Sequence, residues 1–150
     1  MEYLDVCVKV NEFLSDKEYA KAEKYLVRVL QLDWPAFERH LINSQLIEML
    51  WGRREDPLIL ARCVEACWED IKHLREALQE WKLDNPDQSW PEVNSLAKLI
   101  QIYDEQEWYD KAIELCQVAL NLKLTDDGTS TGYNVRMAEL LEKKKALESR

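Results

Sequence analysis

Apolar residues recur three and four positions apart over most of this chain, the spacing that keeps them on one face of an α-helix. The clearest run is Leu96, Leu99, Ile100 and Tyr103. It is followed by the polar break Asp104-Glu-Gln-Glu107, then by Tyr109, Ala112, Ile113, Cys116, Ala119 and Leu120. So short a break turns the chain straight back, which predicts an antiparallel helical hairpin. The start of the chain repeats the arrangement. Val6, Val10 and Phe13 mark one helix, Ser15-Asp16 interrupts it, and Tyr19, Ala22, Leu26 and Leu30 mark the next. These align with Leu96, Ile100, Tyr103, Tyr109, Ala112, Cys116 and Leu120 at a constant offset of 90, with Lys9 opposite Leu99 as a mismatch.

Trp34-Pro35 closes the second helix, because a residue before proline is pushed out of the helical region. Phe37, Leu41, Ile42, Leu46, Met49 and Leu50 then predict a helix ending at Trp51-Gly52. Asp56-Pro57 is a start signal for a long helix reaching Trp81-Lys82 and ended by Asp84-Asn85-Pro86. Leu60, Val64, Cys67, Trp68, Ile71, Leu74, Leu78 and Trp81 form its apolar face, and Ile59, Cys63 and Ala66 widen it. Such a helix is expected to lie between others, as a spine joining the two outer hairpins. Thr125 to Gly132 reads as a plain connector, lacking the features of a phosphate or calcium loop. Tyr133 to Ser149 is a last helix, with Met137, Leu140, Leu141 and Leu147 inward and Glu139, Glu142 and Lys143 toward water.

The fold class that follows is all-α, a solenoid-like stack of antiparallel hairpins with about seven helices. One domain is expected over residues 1–150. It comprises a hairpin at about 2–34, an irregular middle hairpin at about 35–89, a third at about 90–124, and a capping helix at about 132–149.

The order of Leu96, Leu99, Tyr103, Ala112 and Ala119 resembles the tetratricopeptide repeat: large apolar, large apolar, aromatic, then small residues at a tight helix crossing. Ile100 stands where that family usually has Gly, Cys116 where it has an aromatic, and Leu124 where it has Pro. The resemblance implies a right-handed stack in which the first helices of successive hairpins line a concave groove for a partner's peptide or helix. It would place Leu4, Cys7, Asn11 and Leu14 on that face in the first copy, and Asn94, Lys98, Gln101 and Asp104 in the last. The partner-binding residues it implies are Asn11, Asn94, Lys98, Gln101 and Asp104. Members that grip a C-terminal carboxylate use Lys, Arg and Asn there; Asn11 and Lys98 fit, whereas Cys7 and Asn94 stand where Lys is expected. In the competing reading, Leu4, Cys7 and Leu14 simply pack on the middle unit.

Composition narrows the class further. The net charge of −9 argues against a nucleic-acid partner and favours a basic one. Neither a signal peptide nor a membrane-spanning run is visible, so a cytoplasmic protein with reduced thiols and no membrane role is expected. Six Trp are heavy usage. Trp34, Trp81 and Trp90 lie next to helix ends, where packing between hairpins is the expected role.

The search for chemistry is nearly empty. Cys63 and Cys67 lie one turn apart with His73 six residues on, but zinc needs four ligands and a second pair is missing, so both thiols read as core. His40 reads as a surface or half-buried histidine. The acidic pairs Glu105/Glu107 and Asp126/Asp127 fall in polar breaks, where solvation explains charge. No enzyme, metal or cofactor is expected. Two functional classes remain: an adaptor whose groove binds a peptide or helix, and an acidic inhibitor or immunity-type protein masking a basic effector. A self-associating subunit, a homo-oligomer, is a third.

Overall fold

The computed structural model describes residues 1–124 and 132–150. Among the described residues there are seven α-helices and no strand: α1 Tyr3–Ser15, α2 Tyr19–Val29, α3 Ala36–Trp51, α4 Pro57–Asp84, α5 Asn94–Glu105, α6 Tyr109–Asn121 and α7 Gly132–Glu148. They divide into two compact units, Met1–Gln88 and Ser89–Arg150. Of the connector expected from Thr125 to Gly132, residues 125–131, with Asp126/Asp127, lie outside the described residues, and Gly132 begins α7.

In the first unit, α1 and α2 form the expected hairpin, with Val6, Val10, Ala22 and Leu26 buried along its seam. The end of α1 is closed by a left-handed residue, Lys17 at φ 57°. Lys17 N–H donates to the Leu14 carbonyl at 3.1 Å, and Glu18 N–H reaches back to Phe13 at 2.8 Å. These two bonds satisfy carbonyls that a helix end would otherwise leave open.

Side chains hold the turn from α2 into α3. Trp34 is buried, and its indole N–H donates to the Val29 carbonyl at 2.7 Å. The Arg39 guanidinium donates to the carbonyls of Leu30 and Leu32, at 3.0 Å each, opposite the negative end of the α2 dipole. The start of α3 is capped from a distance. One Glu80 carboxylate oxygen accepts from Ala36 N–H at 3.0 Å and the other from Phe37 N–H at 3.3 Å.

The 28-residue α4 begins as its sequence requires, with Asp56 accepting from Leu58 N–H at 2.9 Å and Pro57 in the first turn. It packs on α3. Ile42, Ile47 and Leu50 of α3 and Cys63, Cys67 and Leu74 of α4 are buried in the core. The buried stripe of α4 runs through Ile59, Cys63, Ala66, Cys67, Asp70, Leu74, Ala77 and Leu78. Leu60, Val64 and Ile71, placed at the centre of the face from sequence, are half-buried, and Trp68 is exposed. The residues expected only to widen the face are thus its centre.

The second unit repeats the closure of the first. Glu107 stands at φ 57°, its N–H donates to Asp104 at 3.0 Å, and Trp108 N–H donates to Tyr103 at 2.8 Å. Leu96, Leu99, Ile100, Ala112, Cys116 and Ala119 are buried. Lys9, the mismatch opposite Leu99, is exposed on α1.

Helix α7 packs on α6 through Tyr133 and Leu140, both buried, with Met137 and Leu147 half-buried beside them. Leu141 is 40% exposed, contrary to the sequence reading. The buried stripe follows steps of four, three and seven from Tyr133, and Leu141 lies one position off it, about 100° round the helix. Glu139, Glu142 and Lys143 are exposed, as read from sequence, and the Lys143 ammonium also lies 2.9 and 3.0 Å from the two carboxylate oxygens of Asp104 on α5. Lys144 pairs with Asp110 on α6 at 2.7 Å.

Candidate interaction groove

Helices α1 and α3 of the first unit enclose a groove of about 720 Å³. Helical spacing sets the α1 wall: Tyr3, Cys7, Val10, Asn11 and Leu14 recur at three and four and share one side. The α3 wall repeats the logic with Leu41, Ser44, Gln45, Glu48 and Met49. Tyr19 and Arg53 stand at one end, the guanidinium carbon 5.2 Å from the ring centre, a cation–π distance.

The two walls are tied by one amide. Gln45 Nε2 donates to the Tyr3 hydroxyl at 3.0 Å and to the Cys7 sulfur at 3.4 Å. Burial pushes the Tyr3 hydroxyl above its ordinary ionisation range, and Cys7 adds to the rise through a hydrogen bond. Apolar and neutral polar groups dominate the lining, with Glu48 and Arg53 as its charged members.

Of the positions expected from sequence, Asn11 lines this groove together with Cys7 and Leu14. Leu4 does not: it is 69% exposed on the outer edge of α1, so it neither lines the groove nor packs on the middle helices. Tyr3, four residues before Cys7, and the whole α3 wall were absent from the sequence expectation. The i, i+4 pairs Leu41/Gln45 and Ser44/Glu48 carried that signal.

The α5 positions belong to the second unit, and Asn94, Lys98, Gln101 and Asp104 are all half-buried there. Gln101 and Asp104 meet in a polar cleft of about 370 Å³ with Arg136, Glu139 and Lys143 of α7. Gln101 donates to Glu105 at 3.0 Å, and Asp104 is already neutralised by Lys143.

The remaining candidates resolve on burial. His40 is not a surface or half-buried residue. It is 4% exposed, and its Nδ1 lies 2.8 Å from Oδ1 of Asp70, itself 1% exposed. The sequence reading missed this because the partner is 30 residues away on α4. Cys63 and Cys67 are buried, whereas His73 is half-buried, 3.3 Å from Glu69. Among the described residues no group of three or more His, Cys, Asp or Glu could hold a metal ion. No helix among them is long and apolar enough to cross a membrane. Trp108 is exposed and meets Tyr103 edge-on at 5.3 Å. Compared with protein-family models, curated proteins and solved structures, the chain matches none of them.

Proposed function

We propose that this chain is a protein-interaction module and that the α1–α3 groove holds a short helix or extended segment of a partner. The groove itself carries the reading. Its apolar members, such as Val10, Leu14, Leu41 and Met49, offer burial to a partner's side chains. The Asn11 amide and Ser44 hydroxyl on the same lining are suited to a partner's backbone. The tetratricopeptide resemblance supports the same surface, since α1 and α3 are the first helices of successive hairpins. The burial of Cys63, Cys67 and Cys116 accords with reduced thiols in a cytoplasmic setting.

A photo-crosslinking residue at position 11 or 49 should attach to one partner in cells, whereas the same residue at the exposed position 83 should not. Equal attachment from all three positions would overturn the reading. The net charge of −9 favours a second reading, an acidic protein masking a basic effector. That partner would be captured independently of positions 11 and 49 and released steeply by salt. A crosslink to a second copy of the chain would mark self-association instead.

A further inference from the structure

Charge is distributed unevenly about the α1–α3 groove. Across residues 1–88, eighteen Asp and Glu outnumber twelve Lys and Arg. Helix α1 contains one base, Lys9, and α3 one, Arg39, and neither lines the groove. Lys9 lies over the Phe13 ring at 5.0 Å and 3.8 Å from Glu12, while Arg39 donates to the Leu30 and Leu32 carbonyls. Arg53, the base in the lining, follows α3 and stands at the Tyr19 end.

The acids are placed differently. Glu48 lines the α3 wall. Glu38 stands ten residues earlier, about 15 Å along the helix, and recurs with Leu41 and Gln45 at three and four on one side of α3. It is half-buried, and its charge is felt in the groove: the Tyr3 hydroxyl is raised chiefly by burial and in smaller part by Glu38. Beyond the α1 wall, Glu12 and Asp16 line a shallower depression of about 440 Å³ with Val8 and Ser15, and Asn11 belongs to both hollows. Acids therefore flank a largely apolar groove on both of its sides.

We propose that the occupant of this groove is an extended basic segment of another protein, an inference that rests on the groove being an interaction site. Large apolar side chains of the segment pack on Val10, Leu14, Leu41 and Met49. The Asn11 amide suits an extended chain, because a helix has already paired its own backbone groups. Lysines or arginines of the segment face Glu38 and Glu48, and a chain rising about 3.3 Å per residue spans that interval with bases four or five apart. An acidic segment would meet both carboxylates as like charges, and a second copy of this chain would bring a surplus of acids to them.

The test is fluorescence anisotropy of the full chain with an array of end-blocked seven-residue peptides. Leu, Met or Phe fills the second, fourth and sixth places, Lys, Gln or Glu the first and fifth, and Gln the rest. Lys peptides should bind about ten-fold or more tighter than their Gln counterparts, with Glu peptides weakest. The preference should vanish in E38Q/E48Q and reverse toward Glu peptides in E38K/E48K, with helicity as the check on folding. Asn11→Trp, at an exposed position, should abolish all binding. Gln peptides that bind as tightly as Lys peptides, or a preference unchanged in E38Q/E48Q, would overturn the basic occupant and leave the groove as an interaction site. Binding unaffected by Asn11→Trp would overturn the groove as well. No binding by any peptide would overturn the proposal, and so would a dimer of the chain that Asn11→Trp abolishes.

Discussion

Lys17 and Glu107 hold the same left-handed backbone, φ 57° in each, at equivalent points of two hairpins 90 residues apart. A side chain in this region costs about 1–2 kcal/mol, and glycine avoids that cost. Lys17→Gly and Glu107→Gly should therefore each stabilise the protein by about 0.5–1 kcal/mol. The urea midpoint should rise with an unchanged slope. A lower midpoint for both would mean that these turns are not held as described.

Ala22 and Ala112 are fully buried at the crossings of the same two hairpins. Ala112→Trp should overpack the crossing and cost about 1–3 kcal/mol or more, and Ala22→Trp should behave alike. Chemical denaturation reads both. Unchanged stability would require that the helices do not approach closely there.

The buried pair of His40 and Asp70 makes a sharper prediction. Oδ2 of Asp70 is buried with no hydrogen-bond partner among the described residues. The aspartate therefore depends on His40 for its one described bond. His40→Leu should cost about 3 kcal/mol or more, because it strands a carboxylate in the core. Adding Asp70→Asn should recover part of that loss by removing the charge. A double variant no more stable than His40→Leu would show that no charge had been stranded.

Alkaline pH tests the groove. Burial holds the hydroxyls of Tyr3 and Tyr25 above their ordinary 10.0. A raised folded-state value favours the protonated form, so its contribution is complete below pH 10 and is lost as pH rises through the folded value. Stability should stay level with respect to these groups up to about pH 9.5 and fall above 10. The fall should be shallower in Tyr3→Phe. Phenolate absorbance should show Tyr3 ionising late. A titration identical in wild type and Tyr3→Phe would contradict its burial.

Cutting the chain after Gly132 tests α7 as a cover. The cut removes Tyr133 and Leu140, whose burial contributes roughly 1.5–3 kcal/mol each. The second unit should then melt earlier, aggregate or dimerise, as sedimentation and thermal circular dichroism would show. A truncated chain as stable and monomeric as the original would make α7 a free arm.

The helices were legible because apolar spacing is local: Asp56-Pro57 marked the start of α4, and the offset of 90 paired two hairpins. The left-handed turns at Lys17 and Glu107 were not, since neither position carries the glycine that announces such a turn. Long-range chemistry was hidden for another reason. His40 finds Asp70, and Ala36 finds Glu80, only after α3 and α4 have packed, and no periodicity encodes which polar residue meets which. The groove was half legible. Cys7, Asn11 and Leu14 follow from the α1 pattern, but the α3 wall belongs to a hairpin that breaks the repeat. At Leu141, crowding of apolar residues concealed which of them lay on the buried stripe.

The Glu80 cap has a consequence for the order in which the chain matures. Its acceptors stand 44 and 43 residues downstream of the amides they satisfy. During synthesis, at roughly 5–20 residues per second, α3 therefore waits about 2–9 seconds with its leading turn uncapped. A ribosome-stalled chain ending before Glu80 contains all of α3 yet lacks the group that closes it. Over that interval the first amides of α3 stay available to water or to chaperones, and the α3–α4 pair locks only when α4 is nearly complete.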